Sequence, residues 1–460
     1  MMVVLALAAP FALGWLAAAA LLRGDTEAGL LERLSCAFPL GAAVLAMELF
    51  LLGLARVPLA PWPVLAIVFG EVVVAALVLR GLGIELLPAR RSQGAGQTAR
   101  GPAGVERLAA VLLGLWICAK LGSVLFEAGL RPIWAWDSWS NWSASAKLFY
   151  HSQGLLLDEP AEYFFGRGVA SRIPGYPPLN PMLQAWMCLC LGSFDEVLAK
   201  LWTPLYLVSG ALYLYAASRR VVGLLLSLTL VVALLSSPLL SYHAVEAYSD
   251  LPLSIYLLLS LGCFIQAVQG RWSAWLLSGV FCGCALFVKD EGVLFAPLLL
   301  AAAAVWLARE RSLDRGRRAA ALARLALPLL LMAPWYLFKL RCAPTMGTVS
   351  DFTALIFRPG NLVKASALLF NVGNFSVVFL FLPVLGLLHG RRDRAAPYAG
   401  LVLAGYIAAF FALYVFVPDY DTHFNLGTVF FRNLLTAYPS ACLLAAVLLG
   451  EGRGRAMISA

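Results

Sequence analysis

The chain has 460 residues, of which 62% are apolar and only 13% charged, and its formal net charge is +9. A soluble globular chain carries about 25% charged residues, so this composition excludes a water-soluble fold. The basic surplus lies in short tracts between apolar runs, which is the orientation bias of membrane loops rather than a nucleic-acid surface.

Apolar runs long enough to cross a bilayer, which needs about 20 residues, recur along the whole chain. The expected spans are 2–22, 34–56, 62–84, 108–127, 199–217, 221–241, 251–268, 272–288, 292–308, 323–340, 367–389, 396–417 and 430–450, about thirteen helices. No small-residue cleavage site in a polar stretch follows the first run, so it reads as a retained helix. Residues 179–194 cannot form a further full span without inverting everything after them, and they read as re-entrant or interfacial. The expected fold is therefore all-α: a polytopic integral membrane protein, a single transmembrane domain over 1–460, with no internal repeat.

Basic tracts lie at Arg90 to Arg107, Arg219-Arg220, Arg271, Arg309 to Arg324, Arg391 to Arg394 and Arg453/Arg455. Placed in the cytoplasm by the positive-inside rule, they set the N-terminus outside and the C-terminus inside. The outer loops are then 128–178, 242–250, 289–291, 341–366 and 418–429. They hold three of the four histidines and the conspicuous acidic clusters, so polar chemistry gathers on one face. Arginine in excess of lysine and abundant alanine are compatible with a GC-rich bacterium, and so with its inner (plasma) membrane. The cysteines sit mostly in apolar runs. The pairs Cys188/Cys190 and Cys282/Cys284 have no nearby histidines, which speaks for small buried hydrophobes rather than zinc.

In the first long outer loop, residues 136–147 read WDSWSNWSASAK. At about 100° per residue, Trp139, Trp142, Ala146, Phe149 and Tyr150 fall on one side of an amphipathic juxtamembrane helix over about 137–150. Asp137, Asn141, Ala144 and Ser145 fall on the other. Indole rings favour headgroup depth, which would set the depth of the carboxylate. Asp137 reads either as the helix N-cap or as a catalytic group, and Asn141 and Lys147 count as candidate substrate contacts.

HAVEAYSDLP (243–252) would put His243, Glu246 and Asp250 on one helix face at the outer end of a span, a spacing that could suit a metal, although a solvated loop with Asp250 as N-cap before Pro252 fits as well. Lys289, Asp290 and Glu291 form a charged corner between two apolar runs, functional or simply paired among themselves. Arg432 sits just inside the last span, where its guanidinium fork suits a phosphate or snorkels to the headgroups. His423 could contact the same anion. Tyr176, in a proline-rich run, is a further candidate contact. Glu48, Glu71 and Lys120 lie within the second, third and fourth helices and could pair, mark a proton path or bind a substrate.

Together these features resemble the GT-C superfamily of polytopic glycosyltransferases, the clan that includes protein O-mannosyltransferases and aminoarabinose transferases. The resemblance runs over roughly 108–440. It rests on Asp137 in a juxtamembrane helix, Tyr176-Pro177-Pro178-Leu179, Tyr248-Ser249-Asp250-Leu251-Pro252, Lys289-Asp290-Glu291-Gly292 and the late His423, Arg432 and Pro439. It implies a polyprenyl-phosphate sugar donor and an inverting transfer to a glycan, lipid or protein acceptor on the outer face of the membrane. Asp137 would be the general base, and Arg432 and Lys289 would hold the leaving phosphate. No cofactor is implied with certainty, and a divalent metal ion stays open.

The residues agree in one respect by themselves: no glycine-rich phosphate loop is present, which argues against cytosolic nucleotide chemistry. Two rivals remain. A secondary transporter of a small solute or lipid-linked glycan would use midplane sites on broken helices and internal repeats, and a non-catalytic assembly subunit would need none of these side chains.

Overall fold

The computed structural model describes residues 2–25, 27–86, 104–155, 157, 176–342, 355–390, 392–417 and 429–450. Every regular element among them is helical. The first four helices are α1 (Met2–Leu21), α2 (Leu30–Leu54), α3 (Pro61–Gly81) and α4 (Gly104–Ala128). A π-helical turn, Ser138–Ser143, leads into α5 (Ala144–Ser152), followed by α6 (Leu179–Leu191), α7 (Thr203–Ser218), α8 (Leu224–Leu235) and α9 (Pro238–Val245). The rest are α10 (Asp250–Val268), α11 (Ala274–Leu286), α12 (Gly292–Arg309), α13 (Arg315–Ala326), α14 (Ala333–Cys342), α15 (Pro359–Leu369), α16 (Val372–Phe375), α17 (Val378–His389), α18 (Ala396–Phe416) and α19 (Val429–Leu449).

Nine helices among the described residues are long and apolar enough to cross a membrane, or up to eleven if each bent pair counts as one span. The all-α polytopic expectation holds, while thirteen full spans do not emerge. The difference lies where an apolar run is longer than the helix it makes. Run 272–288 yields only Ala274–Leu286, and run 199–217 starts with a 3-10 turn before Thr203–Ser218. Run 221–241 breaks by 65° between α8 and α9, where Ser237 caps Pro238, and the span expected at 367–389 bends by 104° before α17. Proline at the first position of a helix has no donor to lose, so it starts a new helix rather than continuing the old one.

α10 is the axis of the bundle: all its residues are buried, and α2, α7, α11, α12 and α19 pack around it. α1 and α2 approach closely because Gly14 and Gly41 carry no side chain. A Cβ on Gly14 would lie 1.7 Å from the Ala37 carbonyl oxygen, and one on Gly41 would lie 1.5 Å from that of Pro10. In lipid, where tails are as apolar as leucine, such small-residue contacts drive helix association.

α6 covers most of the segment read as re-entrant or interfacial. It is short, and every residue from Leu179 to Cys190 is buried, against α1, α2 and α5. Trp186 donates its indole N–H to the Ala6 carbonyl at 2.7 Å. Gly192 ends the helix in the left-handed region (φ 74°), where a side chain would be strained. At one end of the bundle a buried ionic cluster ties the α1–α2 connection to the loop after α10: Arg271 donates to Asp25, Glu32 and Gln266, and Arg220 to Glu27 and Glu32.

Candidate active site

The opposite end of α10 carries the other concentration of charge. Asp137 precedes the π turn and makes no capping hydrogen bond with its side chain. Instead it accepts from Arg432 Nη1 at the start of α19. Arg432 Nη2 reaches Asp250 Oδ2, on the first turn of α10, at 3.1 Å. Asp250 is no N-cap either, since Ser249 holds that position. Its other oxygen accepts from Lys289 Nζ at 3.0 Å, and Lys289 also pairs with Glu291 Oε1 at 2.6 Å. Four separate chain segments thus meet in one continuous ionic chain, Asp137–Arg432–Asp250–Lys289–Glu291.

The ionic chain is largely buried and incompletely satisfied. The Asp250 side chain is fully buried, and those of Arg432 and Asp137 are 14% and 27% exposed. Buried polar atoms left without a hydrogen-bond partner include Arg432 Nε, Glu291 Oε2 and both ring nitrogens of His243. Such orphans are costly unless a ligand meets them. His243 Nδ1 stands 3.7 Å from Asp250 Oδ2, and its ring packs on Tyr248 with centroids 4.4 Å apart. Tyr248 also lies under the Arg432 guanidinium, 4.7 Å from its ring centre, in cation–π geometry. Burial opposes the charge of Lys289, but Asp250 and Glu291 outweigh it and raise its pKa. Lys289 is therefore a fixed cation. Tyr176 faces the same charges and packs on Trp142 at 5.3 Å; its hydroxyl is pushed up by burial and by Glu291.

A relay of neutral side chains holds the pieces in register. Ser143 donates to Gln184 Oε1 at 2.7 Å, and Gln184 donates to Asn180 Oδ1 at 2.8 Å. Asn180 donates to the Ala247 carbonyl at 2.7 Å and to Ser249 Oγ at 3.0 Å. α6 is thus the bracket between the segment bearing Asp137 and the one bearing Asp250. Buried networks of this kind rigidify a site when every member is satisfied.

The remaining residues singled out in the sequence are distributed as follows. The expected shared helix face of His243, Glu246 and Asp250 does not exist, because the backbone turns extended at Glu246 (φ −119°, ψ 162°) between α9 and α10. Glu246 points instead towards the main chain of Trp134 and Ala135, the Ser138 hydroxyl and Lys200, without a full hydrogen bond. Burial raises its carboxyl pKa, with Lys200 opposing. Lys200 Nζ itself donates to the carbonyls of Ala128 and Val245. Asp290 turns away from Lys289 to pair with Lys339 at 3.0 Å; burial raises its pKa against the pull of that lysine.

Lys147 is exposed, 3.5 Å from Glu196 and over the Phe194 ring, outside the ionic chain. Asn141 is half-buried in the π turn and takes the Ser145 hydroxyl on its carbonyl. Glu48 and Glu71 face one another between α2 and α3. His423 lies outside the described residues. Among the described residues no three His, Cys, Asp or Glu side chains are grouped to hold a metal ion. Lys339, Lys200 and Gln184 were not singled out in the sequence, and Tyr248 only as part of the run ending in Asp250-Leu251-Pro252. Only the lysines carried a signal, a charge inside or beside an apolar run.

The amphipathic phasing of residues 137–150 needs correction. Trp142, Ala146 and Phe149 are buried against protein, whereas Trp134, Trp136 and Trp139 are about half exposed. A π turn closes i→i+5, so it rotates less per residue than an α-helix. Trp139 and Trp142 therefore part company, and only the first indoles of the segment face outward.

Fold and site together define a class: a polytopic, all-helical membrane fold with an ionic chain at one end of its central helix. The sequence profile of the dolichyl-phosphate-mannose-protein mannosyltransferase family matches residues 176–338, which include α6, Tyr248, Asp250 and Lys289. Among solved structures the chain is similar to ArnT from Cupriavidus metallidurans bound to undecaprenyl phosphate. That match has a TM-score of 0.52 and 18% identity, and covers 75% of this chain and 60% of that one. The apo state of the same protein matches with a TM-score of 0.51 and 17% identity, over 74% of this chain and 60% of that one. The chain therefore spans about 60% of the length of these structures. No curated protein matches it.

Proposed function

We propose that the chain is a membrane glycosyltransferase that moves a sugar from a polyprenyl-phosphate donor to an acceptor hydroxyl on the outer face of the membrane, with inversion. The observation that carries this reading is the double bond of Arg432 to Asp137 and Asp250, with Lys289 on the far side of Asp250. It sets the Asp137 carboxylate beside one buried cation and links it through Asp250 to a second, as displacement of a phosphate by a deprotonated hydroxyl requires.

The donor phosphodiester takes over part of the Arg432 fork, whose bidentate geometry matches phosphate oxygens, and Asp137 is thereby released. Asp137 accepts the acceptor's proton as the hydroxyl oxygen bonds to the anomeric carbon. The bond from that carbon to the phosphate oxygen breaks, and its electron pair leaves with the polyprenyl phosphate. One negative charge develops on the leaving group, and Arg432 and Lys289 stabilise it where water is largely absent, so the gain is larger than in bulk solvent. Asp250 positions both cations. Tyr176 and His243 border the space and supply groups for the sugar.

The test is transfer by the purified protein from a polyprenyl-phosphate sugar to envelope glycan or lipid acceptors, compared with Asp137→Asn. Transfer by the parent and none by the variant supports the assignment. Turnover by Asp137→Asn equal to the parent removes Asp137 as the base, and ion-coupled uptake without transfer would overturn the enzyme reading.

A further inference from the structure

An apolar cavity runs beside α19, towards its C-terminal end. It has a volume of about 780 Å³ and runs between α15, α17, α18 and the end of α19. Its walls are almost wholly apolar, formed by Phe370, Phe379, Leu382, Leu403, Ile407 and Phe411, and the last turns of α19 close it with Leu444 and Leu448. Leu448 follows Arg432 by sixteen residues, about 24 Å along a helix, so the Leu448 end of the cavity is remote from the ionic chain, while its other end, at Phe411, packs on Phe430 near the start of α19.

On α18 the lining runs from Ala396 to Phe411, about 22 Å at 1.5 Å per residue. The hydrocarbon of one leaflet is about 15 Å deep, half of a 30 Å core. The groove therefore reaches from the polar boundary to beyond the midplane. Small residues keep it open: Gly386 and Gly390 on one wall, and Ala396, Gly400, Ala404 and Ala408 on the other. A Cβ on Gly386 would meet no atom within 4 Å. α17 and α18 touch only sparingly and lean on α19 and α12 instead, so nothing from the described chain fills the gap.

The mouth is basic. Gly390 and Ala396, both lining residues, bracket Arg392 and Arg394. Arg392 is exposed, and Arg394 approaches Glu310 only at 4.0 Å, with its side chain 53% exposed. Asp393, the one acid of the loop, is turned away: it accepts from Gln269 and caps the first turn of α18. His389 Nδ1, at the end of α17, is shielded and without a hydrogen-bond partner.

We infer that this groove binds one anionic phospholipid of the leaflet opposite the ionic site, with an acyl chain between α17 and α18 and the headgroup phosphate on Arg392 and Arg394. A cavity open to hydrocarbon and lined by hydrocarbon is filled by a lipid tail. Two arginines at its mouth favour an anionic head over a zwitterionic one, since basic residues at such a boundary attract anionic lipid. The distal part of a polyprenyl donor is the other conceivable tail, but it has no use for the basic mouth. Because the groove's third wall is the end of α19, its occupant braces the helix that presents Arg432.

The test is native mass spectrometry of the full chain released from nanodiscs of mixed phosphatidylethanolamine and phosphatidylglycerol, with and without added polyprenyl phosphate. One phosphatidylglycerol retained per chain is expected for the parent. Gly386→Phe, which fills the groove without a backbone clash, should lose it. The double substitution Arg392→Glu with Arg394→Glu should weaken retention about tenfold or more while the chain stays folded, since both side chains are exposed. Equal retention of the two phospholipids, retention by Gly386→Phe, or displacement of the phospholipid by polyprenyl phosphate would each overturn the inference.

Discussion

Asp137 and Arg432 stand 295 positions apart in the chain and share a hydrogen bond. The aspartate lies between α4 and the π turn, and the arginine one turn into α19, so their meeting fixes the segment after α4 against the last span. The same guanidinium holds Asp250. In the resting site the proposed base and the proposed phosphate ligand therefore neutralise each other, and donor binding must exchange one anion for another.

Asp137→Asn should lower the rate of transfer by at least the 10²–10⁴-fold typical of a general base. Donor affinity should hold or rise, because Arg432 loses a competing carboxylate. Single-turnover transfer and donor titration check the two effects separately; a fall in donor affinity equal to the fall in rate would contradict the exchange.

Arg432→Ala should weaken donor binding and also destabilise the fold, because Asp250, fully buried, loses a charge partner. Breaking such a pair costs about 3–5 kcal/mol. In a double-mutant cycle, Asp137→Asn added to Arg432→Ala should return part of that stability, since one of the two stranded acids is removed. Denaturation in detergent reads the coupling, and strict additivity would show that the pair contributes nothing to folding.

Gln184→Leu should cut the relay between Ser143 and Asn180, leaving buried polar groups unsatisfied at a cost of about 1–3 kcal/mol. Transfer rate should fall with little change in donor affinity, because Gln184 touches neither Arg432 nor Lys289. A parallel kinetic and thermal comparison with Gln184→Glu separates lost shape from lost hydrogen bonding.

Arg271→Ala, at the far end of the bundle, serves as the control for stability without chemistry. It strands Asp25 and leaves Glu32 with Arg220 alone, so a loss of about 3–5 kcal/mol is expected with the catalytic rate per folded molecule unchanged.

Two carboxyls should shape stability with opposite sign. Burial works against the Asp25 charge, but the Ser273 hydroxyl and Arg271 outweigh it, so its pKa lies below the ordinary 3.8. Its contribution is present above 3.8 and is lost as pH falls through the lower folded value. Glu246 is raised by burial above its ordinary 4.5. The folded state then binds the extra proton, so stability falls as pH rises from 4.5 through the raised value. Asp25→Asn should remove the first dependence and Glu246→Gln the second, as read by melting temperature against pH. An unchanged profile in either variant would reject its assignment.

The composition and the spacing of apolar runs determined the membrane class, the all-helical fold and most helix positions. Lipid leaves the backbone no partner but itself, so a long apolar run has one outcome. Charged residues near the ends of those runs were legible as well, because charge beside lipid is expensive. Periodicity could not show that the chain turns at Glu246, that a π turn at Ser138–Ser143 rotates the tryptophans apart, or that α6 is a buried bracket. Those depend on neighbours distant in sequence. Whether Asp137 caps a helix or meets a cation was undecidable from spacing, since its partner is on the last helix. The convergence of Asp137, Arg432, Asp250 and Lys289 was decided by how four helix ends pack around α10, and a one-dimensional pattern carries no record of that packing.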